Sequence, residues 1–303
     1  MNFALSIRAH CRIATRDDER IIIESVDQRE TVESSISHIT ALKTEPRLEL
    51  LAKLIYFFKP ELGFHMTTRS EAPAGAGLAG SSTLNIAVVA ALNKLVGDKY
   101  DPEKFISIAA GVETQVIRVP AGYQDYYPAQ YGGVAAIHFG VEGMSREALY
   151  VDNSVLERRI AVCYTGEPRN SGINNWEITK RHIDGDQEIF EIFDGIRDIS
   201  LETRSAVLNG EWDTLGEILR RAHLDRVRLS PNITTPQMDH LIDVALANGA
   251  IAPKVCGAGG GGCIAFYCQD GRRAAVEAAL ASEEGSRVLD WSLSPDGLRL
   301  AVS

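Results

Sequence analysis

Residues 73–83, Pro-Ala-Gly-Ala-Gly-Leu-Ala-Gly-Ser-Ser-Thr, run without a break into an apolar helical pattern, and the architecture follows from how that join is read. Upstream, Leu62, Phe64, Met66 and Thr68 alternate with other residues, the period of two that marks a strand. Downstream, Leu84, Val88, Leu92 and Leu95 recur at helical spacing, with Asn85 and Lys94 on other faces. The order is strand, glycine turn, helix. Backbone N–H groups of such a turn can point at an anion, and the positive end of the helix dipole favours negative charge there. Ser81, Ser82 and Thr83 add hydroxyls where a phosphate or a phosphate-bound metal would sit.

Three readings compete for this segment. It can be a plain helix N-terminus capped by Ser81 or Ser82, with glycines for a tight turn. It can be a dinucleotide fingerprint, with Gly75, Gly77 and Gly80 as G-x-G-x-x-G. That motif needs an acid ending a second strand about 20 residues on. Residues 97–105 form instead a loop opening another helix. The third reading is a phosphate loop that is not a Walker A, since no Gly-Lys-Ser/Thr follows. The rest of the chain favours the third.

A second glycine run spans Cys256-Gly257-Ala258-Gly259-Gly260-Gly261-Gly262-Cys263 and joins the apolar stretches 251–255 and 264–268. A flexible hairpin loop would satisfy that pattern. Consecutive glycines cost conformational entropy, so close approach to another loop or to a ligand is the better explanation. A third piece is Pro120-Ala121-Gly122-Tyr123-Gln124-Asp125-Tyr126-Tyr127-Pro128, followed by Tyr131-Gly132-Gly133 and the strand 134–137. Asp125 is either an N-cap carboxylate or a group that accepts or orients the proton of an attacking hydroxyl. Glu113, on the helical stretch 102–116, is either a solvated side chain or a magnesium ligand, since magnesium takes hard oxygens and substrate phosphates.

In this order the three pieces resemble the GHMP kinases, the small-molecule kinases that include galactokinase, homoserine kinase and mevalonate kinase. The family's phosphate loop is usually written Pro-x-x-x-Gly-Leu-Gly-Ser-Ser. Here Pro73, Gly75, Gly77, Leu78, Ala79, Gly80, Ser81, Ser82 and Thr83 fill it, with Ala79 as one extra residue before Gly80. The segments Leu78-Ala79-Gly80-Ser81-Ser82-Thr83 and Gln124-Asp125, with Tyr131-Gly132-Gly133, are similar to the branch that phosphorylates D-glycero-D-manno-heptose 7-phosphate. So is Tyr164-Thr165-Gly166-Glu167-Pro168-Arg169-Asn170-Ser171. The late glycines Gly257, Gly259, Gly260 and Gly261 match a further family motif, with Lys254 and Val255 before them. The resemblance spans nearly the whole chain.

The family opens with a strand and turn of the type Pro-x-Arg-x-x-Leu-x-Gly-Gly, which helps bind the acceptor. The segment Met1-Asn2-Phe3-Ala4-Leu5-Ser6-Ile7 resembles the family's next strand instead. Two expectations follow, a start assigned too far downstream or a lost acceptor-binding element. Leu5, Ile7 and Ala9 alternate with Ser6, Arg8 and His10, and 21–25 makes a partner strand across the turn Asp17-Asp18.

Length and composition suit a cytoplasmic enzyme. The 303 residues suffice for two domains or one large one, with 45% hydrophobic and 24% charged residues. A net charge of −10 argues against general nucleic-acid or membrane-surface binding. No apolar run reaches the ~18 residues of a membrane span, and Arg8, His10 and Arg12 interrupt the first apolar segment, unlike a signal peptide. Cys11, Cys163, Cys256, Cys263 and Cys268 form no C-x-x-C pair and suit small buried thiols in a reducing compartment.

No internal repeat or low-complexity segment is present. The first half alternates strands and helices and ends near Phe139-Gly140, with 140–152 a connection or strand edge. A strand over 159–164 opens the second half. Helices are expected at 172–183, 186–209, 211–226 and 235–248, the last capped by Thr234 or Thr235. Strands at 251–256 and 263–268, a helix at 271–283 and strands around 287–301 close the chain. This is an α+β fold. The resemblance implies two domains, 1–150 and 151–303, with the nucleotide site between them.

The resemblance also implies ATP and magnesium as cofactors. ATP phosphates would rest on the loop, with Ser82 and Glu113 as metal contacts and Asp125 as base or orienter. Gly122, Tyr123, Gln124 and Arg169 would lie with the sugar or sugar-phosphate acceptor, phosphorylated at its anomeric hydroxyl. Phosphoryl transfer needs mostly positioning and charge neutralisation, so few ionisable groups suffice. Arg220, Arg221, Arg226 and Arg228 read as a solvated face interspersed with Glu217 and Asp225, and Trp176 reads as core. The alternatives are a kinase-like protein that binds nucleotide or sugar without turnover, and a galactokinase- or mevalonate-kinase-like enzyme. Oligomeric state is not legible in the sequence.

Overall fold

The structure, a computed structural model, describes residues 1–168 and 173–303. In chain order its elements are β1 (Asn2–Phe3), β2 (Ala9–Thr15), β3 (Arg20–Ser25), β4 (Glu30–Ser35), α1 (Glu49–Phe58), β5 (Phe64–Ser70), α2 (Gly80–Leu95), α3 (Phe105–Ile117) and α4 (Tyr126–Tyr131). There follow β6 (Val134–Gly140), β7 (Gly143–Leu149), α5 (Asn153–Arg159), β8 (Ile160–Tyr164), α6 (Ile173–Ile183), α7 (Gln187–Asn209), α8 (Trp212–Leu229), α9 (Pro236–Ala247), β9 (Ala250–Val255), β10 (Cys263–Cys268), α10 (Arg273–Ala281) and β11 (Arg287–Val288). They fall into two compact units, each discontinuous in the chain. One comprises Met1–Ser6, Pro73–Leu78 and Gly133–Ser294, the other Ile7–Ala72, Ala79–Gly132 and Pro295–Ser303. No helix among the described residues is long and apolar enough to cross a membrane.

In the second of these units a sheet of order β2-β5-β3-β4 packs one face against α1, α2 and α3. The expected pairing of 21–25 with the strand before it does not form, because β5 lies between them, antiparallel to β2 and parallel to β3. The chain is tightly packed where β5 enters. The Arg16 N–H donates to Gly63 O at 2.8 Å, and a Cβ on Gly63 would stand 1.9 Å from Asp18 O. The Asp17-Asp18 turn therefore crosses the start of β5 instead of closing a hairpin. Register is set by burial: Ile21 pairs with Phe64 and Ile23 with Met66, and all four are fully buried. Each contributes roughly 1.5–3 kcal/mol, and a one-residue slip would turn the whole set outward.

Helix α2 forms where its periodicity expects, but it is buried on more than one side. Asn85, expected on another face than the core leucines, is 0% exposed, and its Nδ2 donates to Ala109 O at 2.9 Å. The amide adds a bond to a carbonyl inside α3 and so ties α2 to α3. Burial pushes the Cys11 thiol, packed against the same core, up to about 12.

The other unit holds a sheet β1-β6-β7 and a sheet β11-β8-β10-β9. The segment 140–152, expected as a connection or strand edge, carries the strand β7, paired with β6 from Val134↔Leu149 to Gly140↔Gly143. Strands around 287–301 are expected, yet among the described residues the only regular pairing there is Arg287 and Val288 on β8, with one isolated bridge at Leu293. Leu289, Trp291 and Leu293 are nonetheless buried, and backbone bonds such as Leu289 N to Val162 O at 2.8 Å and Ser294 N to Ala4 O at 2.9 Å hold the segment beside them. Trp176 is 46% exposed and so is not core.

Capping chemistry sets the helix boundaries in this unit. The Asp186 carboxylate accepts from Glu188 N and Ile189 N at the start of α7, and Gly210 ends it in a left-handed conformation. Thr235 caps α9, accepting from Met238 N at 3.2 Å, and Pro236 occupies the first helical position. Its hydroxyl also donates to Glu167 Oε2 at 3.2 Å. Thr235→Ala is expected to lower stability by about 1 kcal/mol, read as a small fall in denaturation midpoint, with Thr235→Ser close to the parent.

Candidate functional site

Pro73–Leu78 belongs to the same unit as the late glycine run, and the two loops lie backbone against backbone. Cys263 N donates to Ala76 O at 2.7 Å. A Cβ on Gly77 would approach Cys256 O to 2.8 Å, and one on Gly262 would approach Ala76 O to 2.7 Å. Gly77 and Gly262 also have φ of +75° and +85°, where an L side chain is strained. The close approach expected of the late glycines is thus met by the glycine turn over residues 73–78. Further bonds hold the late run on its other sides. Gly260 N donates to Ile233 O at 3.0 Å, Gly262 N to Glu167 O at 2.8 Å, and Thr165 N to Gly262 O at 2.9 Å.

The second half of the loop, from Ala79, belongs to the other unit and starts α2. Ala79 is the residue before the helix, with a left-handed φ of 58° and no side-chain cap. An L residue there costs roughly 1–2 kcal/mol, a local strain stored beside the bare first turn. Neither Ser81 nor Ser82 caps the helix; both lie inside it. The N–H groups of the first turn therefore keep no side-chain acceptor at the cap, the condition an anion site needs.

Ser81 Oγ donates to Glu113 Oε1 at 2.6 Å, and the Tyr126 hydroxyl donates to Glu113 Oε2. Ser82, only 7% exposed, and the buried Asn85 are the further polar side chains that act on the Tyr126 hydroxyl. Burial, then the Glu113 carboxylate, push the Tyr126 hydroxyl above its ordinary value, so it remains a donor at neutral pH. One carboxylate, two serines, one amide and one phenol thus converge from α2, α3 and α4.

Asp125 ends the single 3-10 turn Tyr123–Asp125 and directly precedes α4. It is half-buried, and its side chain makes no cap bond to that helix, so the N-cap reading of this carboxylate does not hold. The Gln124 side chain lies back over Gly122, where a Cβ would come within 2.9 Å of Oε1. Arg169 lies outside the described residues, as do Asn170 and Ser171.

Sequence reasoning missed Tyr126 and Asn85. Tyr126 sits in an aromatic run, Tyr123 to Tyr131, where nothing local marks the one ring that is 0% exposed. It also misread one arginine. Arg220 pairs with Glu217, Arg221 with Glu202 and Arg228 with Asp225, as a solvated face would. Arg226 instead donates to Gly257 O and so ties α8 to the late glycine loop. Its spacing from Gly257 carries no local signal.

The chain matches two domains of one family, the GHMP kinases N terminal domain over residues 48–133 and the GHMP kinases C terminal domain over residues 203–287, together more than half its length. The chain belongs to the GHMP kinase family. It is a kinase, transferring a phosphoryl group from ATP to an alcohol. Among relatives, it is 26% identical to the D-glycero-alpha-D-manno-heptose 7-phosphate kinase of Campylobacter jejuni, covering 99% of this chain and 89% of that one. It is 23% identical to a mevalonate kinase of Pyrococcus furiosus, over 80% of this chain and 70% of the other. A solved D-glycero-D-manno-heptose 1-phosphate kinase from Bacteroides thetaiotaomicron shares the fold, with a TM-score of 0.74 at 20% identity, covering 98% of this chain and 89% of that one. The mixed helix-and-sheet fold expected of this kinase is the one found.

Proposed function

We propose that this GHMP kinase phosphorylates a sugar phosphate, with the anomeric hydroxyl of a heptose 7-phosphate as acceptor. The observation that carries the reading is the uncapped first turn of α2, with the Ser81 hydroxyl set against the Glu113 carboxylate. The near full-length similarity to a heptose 7-phosphate kinase supports the choice of acceptor. In this reading the backbone over residues 73–83 takes the ATP phosphates, and Gly257, Gly259, Gly260 and Gly261 support the loop. Asp125 accepts or orients the proton of the attacking hydroxyl, beside Gly122, Tyr123 and Gln124. Arg169 takes the acceptor's own phosphate. The reaction belongs to the cytoplasm, where the free state of all five cysteines is at home.

The residues fit magnesium by the chemistry of their donors. Glu113 offers a carboxylate and Ser81 and Ser82 offer hydroxyls, all hard oxygens, and magnesium typically takes one or two carboxylates plus substrate phosphates. Ser82 and Glu113 would hold it. Bound there, the ion would neutralise charge on the transferring phosphoryl group.

The test is ADP release with magnesium-ATP across heptose 7-phosphate, free heptose, galactose, mevalonate and homoserine. Turnover is expected on heptose 7-phosphate, with the new phosphate at the anomeric carbon by phosphorus–carbon coupling in NMR. Turnover on galactose or mevalonate alone would replace the acceptor. Silence on every acceptor would favour a binding protein over an enzyme.

A further inference from the structure

We propose that Tyr126 is a positioning residue that holds the Glu113 carboxylate in the orientation a metal–nucleotide complex needs. The inference rests on the reading of Glu113 as a metal contact, and it assigns the task of orienting that contact to a side chain for which the sequence reading held no role. Glu113 is one residue on an exposed-to-buried helix face, and a glutamate there has three rotatable bonds. Its two oxygens have different holders. Oε1 is met by Ser81, an exposed side chain, and Oε2 by Tyr126, which is fully buried.

A buried ring cannot follow a wandering carboxylate, so Tyr126 sets where Oε2 stands. Tyr126 is itself held by its surroundings. The ring is fully buried, the buried Asn85 is pinned to Ala109 O at 2.9 Å, and the Tyr123 ring packs edge-on with centroids 6.3 Å apart. Tyr126 is also the residue after Asp125 in the chain. One phenol therefore links the first turn of α2, the carboxylate of α3 and the turn that carries Asp125. A charge-assisted hydrogen bond from a fixed donor is a strong orienting contact.

Tyr126→Phe keeps the ring and removes only the hydroxyl. ATP binding is measured by calorimetry with and without magnesium, and the magnesium concentration that half-restores tight binding is recorded. The expected result is a rise of about tenfold in that midpoint, with metal-free ATP affinity within twofold of the parent. An unchanged midpoint with a lower melting temperature would overturn the proposal and leave Tyr126 a core residue. Equal weakening of metal-free ATP binding would overturn it as well.

Glu113→Gln separates this inference from the reading beneath it. If that variant leaves the magnesium midpoint unmoved, Glu113 is no metal contact and both ideas fall. If it moves the midpoint and Tyr126→Phe does not, only the role of Tyr126 falls. The double variant also guards against misfolding of Tyr126→Phe, since no carboxylate charge is then left without its partner. In the Glu113→Gln background, removing the hydroxyl is expected to change the midpoint no further, and an added rise would overturn the proposal.

Discussion

Asp125→Asn is expected to lower kcat by roughly 10²- to 10⁴-fold, with the KM for ATP within about a factor of two of the parent. Asparagine keeps the size and planarity of the side chain and removes its charge and basicity. The half-buried carboxylate does not cap α4, so the change removes no N-cap bond. Neighbouring Tyr126 is fully buried and bonded to Glu113, so the turn that carries Asp125 keeps its place in the variant. Steady-state kinetics with saturating heptose 7-phosphate would read the effect on turnover, and calorimetry would confirm intact nucleotide binding. A fall of less than tenfold would remove Asp125 from the reaction and send the search for a base elsewhere. Loss of ATP binding in step with kcat would show instead that the substitution disturbed the fold.

Gly262→Ala is expected to lower stability by about 2–4 kcal/mol and to raise the KM for ATP at least tenfold. Two costs add at this position. The backbone has φ of +85°, which an alanine tolerates only with strain, and the new Cβ would stand 2.7 Å from Ala76 O and 2.8 Å from Gly75 O. Those atoms are backbone and cannot swing aside as a side-chain end would. The loop over residues 73–78 must therefore shift, and with it the bond from Cys263 N to Ala76 O at 2.7 Å. Gly271→Ala isolates the strain term. Its φ is +72°, but nothing lies within 4 Å of the added Cβ. That variant is expected to lose only about 1 kcal/mol and to keep its KM for ATP. Equal behaviour of the two variants in thermal melts and in kinetics would mean that contact between the glycine loops does not shape the turn over residues 73–78.

The pair also shows why the late glycines were legible as crowded but not as crowded by what. Four consecutive glycines imply close approach of something. Whether Ala76, Ile233 or a ligand fills the space is a question of which distant loop folds there, and spacing along the chain does not answer it. Arg226 makes the same point from the charged side. Three neighbours, Arg220, Arg221 and Arg228, pair with carboxylates as a solvated stripe would, and only the approach of Gly257 sets Arg226 apart.

The sequence by itself determined the strand, glycine turn and helix around residues 73–83, the helices α7 to α9 and the hairpin of β9 and β10. Each depends on near neighbours: alternation at period two, recurrence at helical spacing, and a capping residue such as Thr235 at the boundary. Four ordered motifs were enough to name the family. The tertiary structure alone decided that β5 enters between β2 and β3, and that beyond Val288 the tail makes an isolated bridge at Leu293 instead of a strand. It alone decided which tyrosine is buried against Glu113, and that Asn85 faces α3 instead of water. Those choices depend on partners tens of residues away, and their stabilisation appears only once apolar faces are shut together and polar groups trapped between them must find one another.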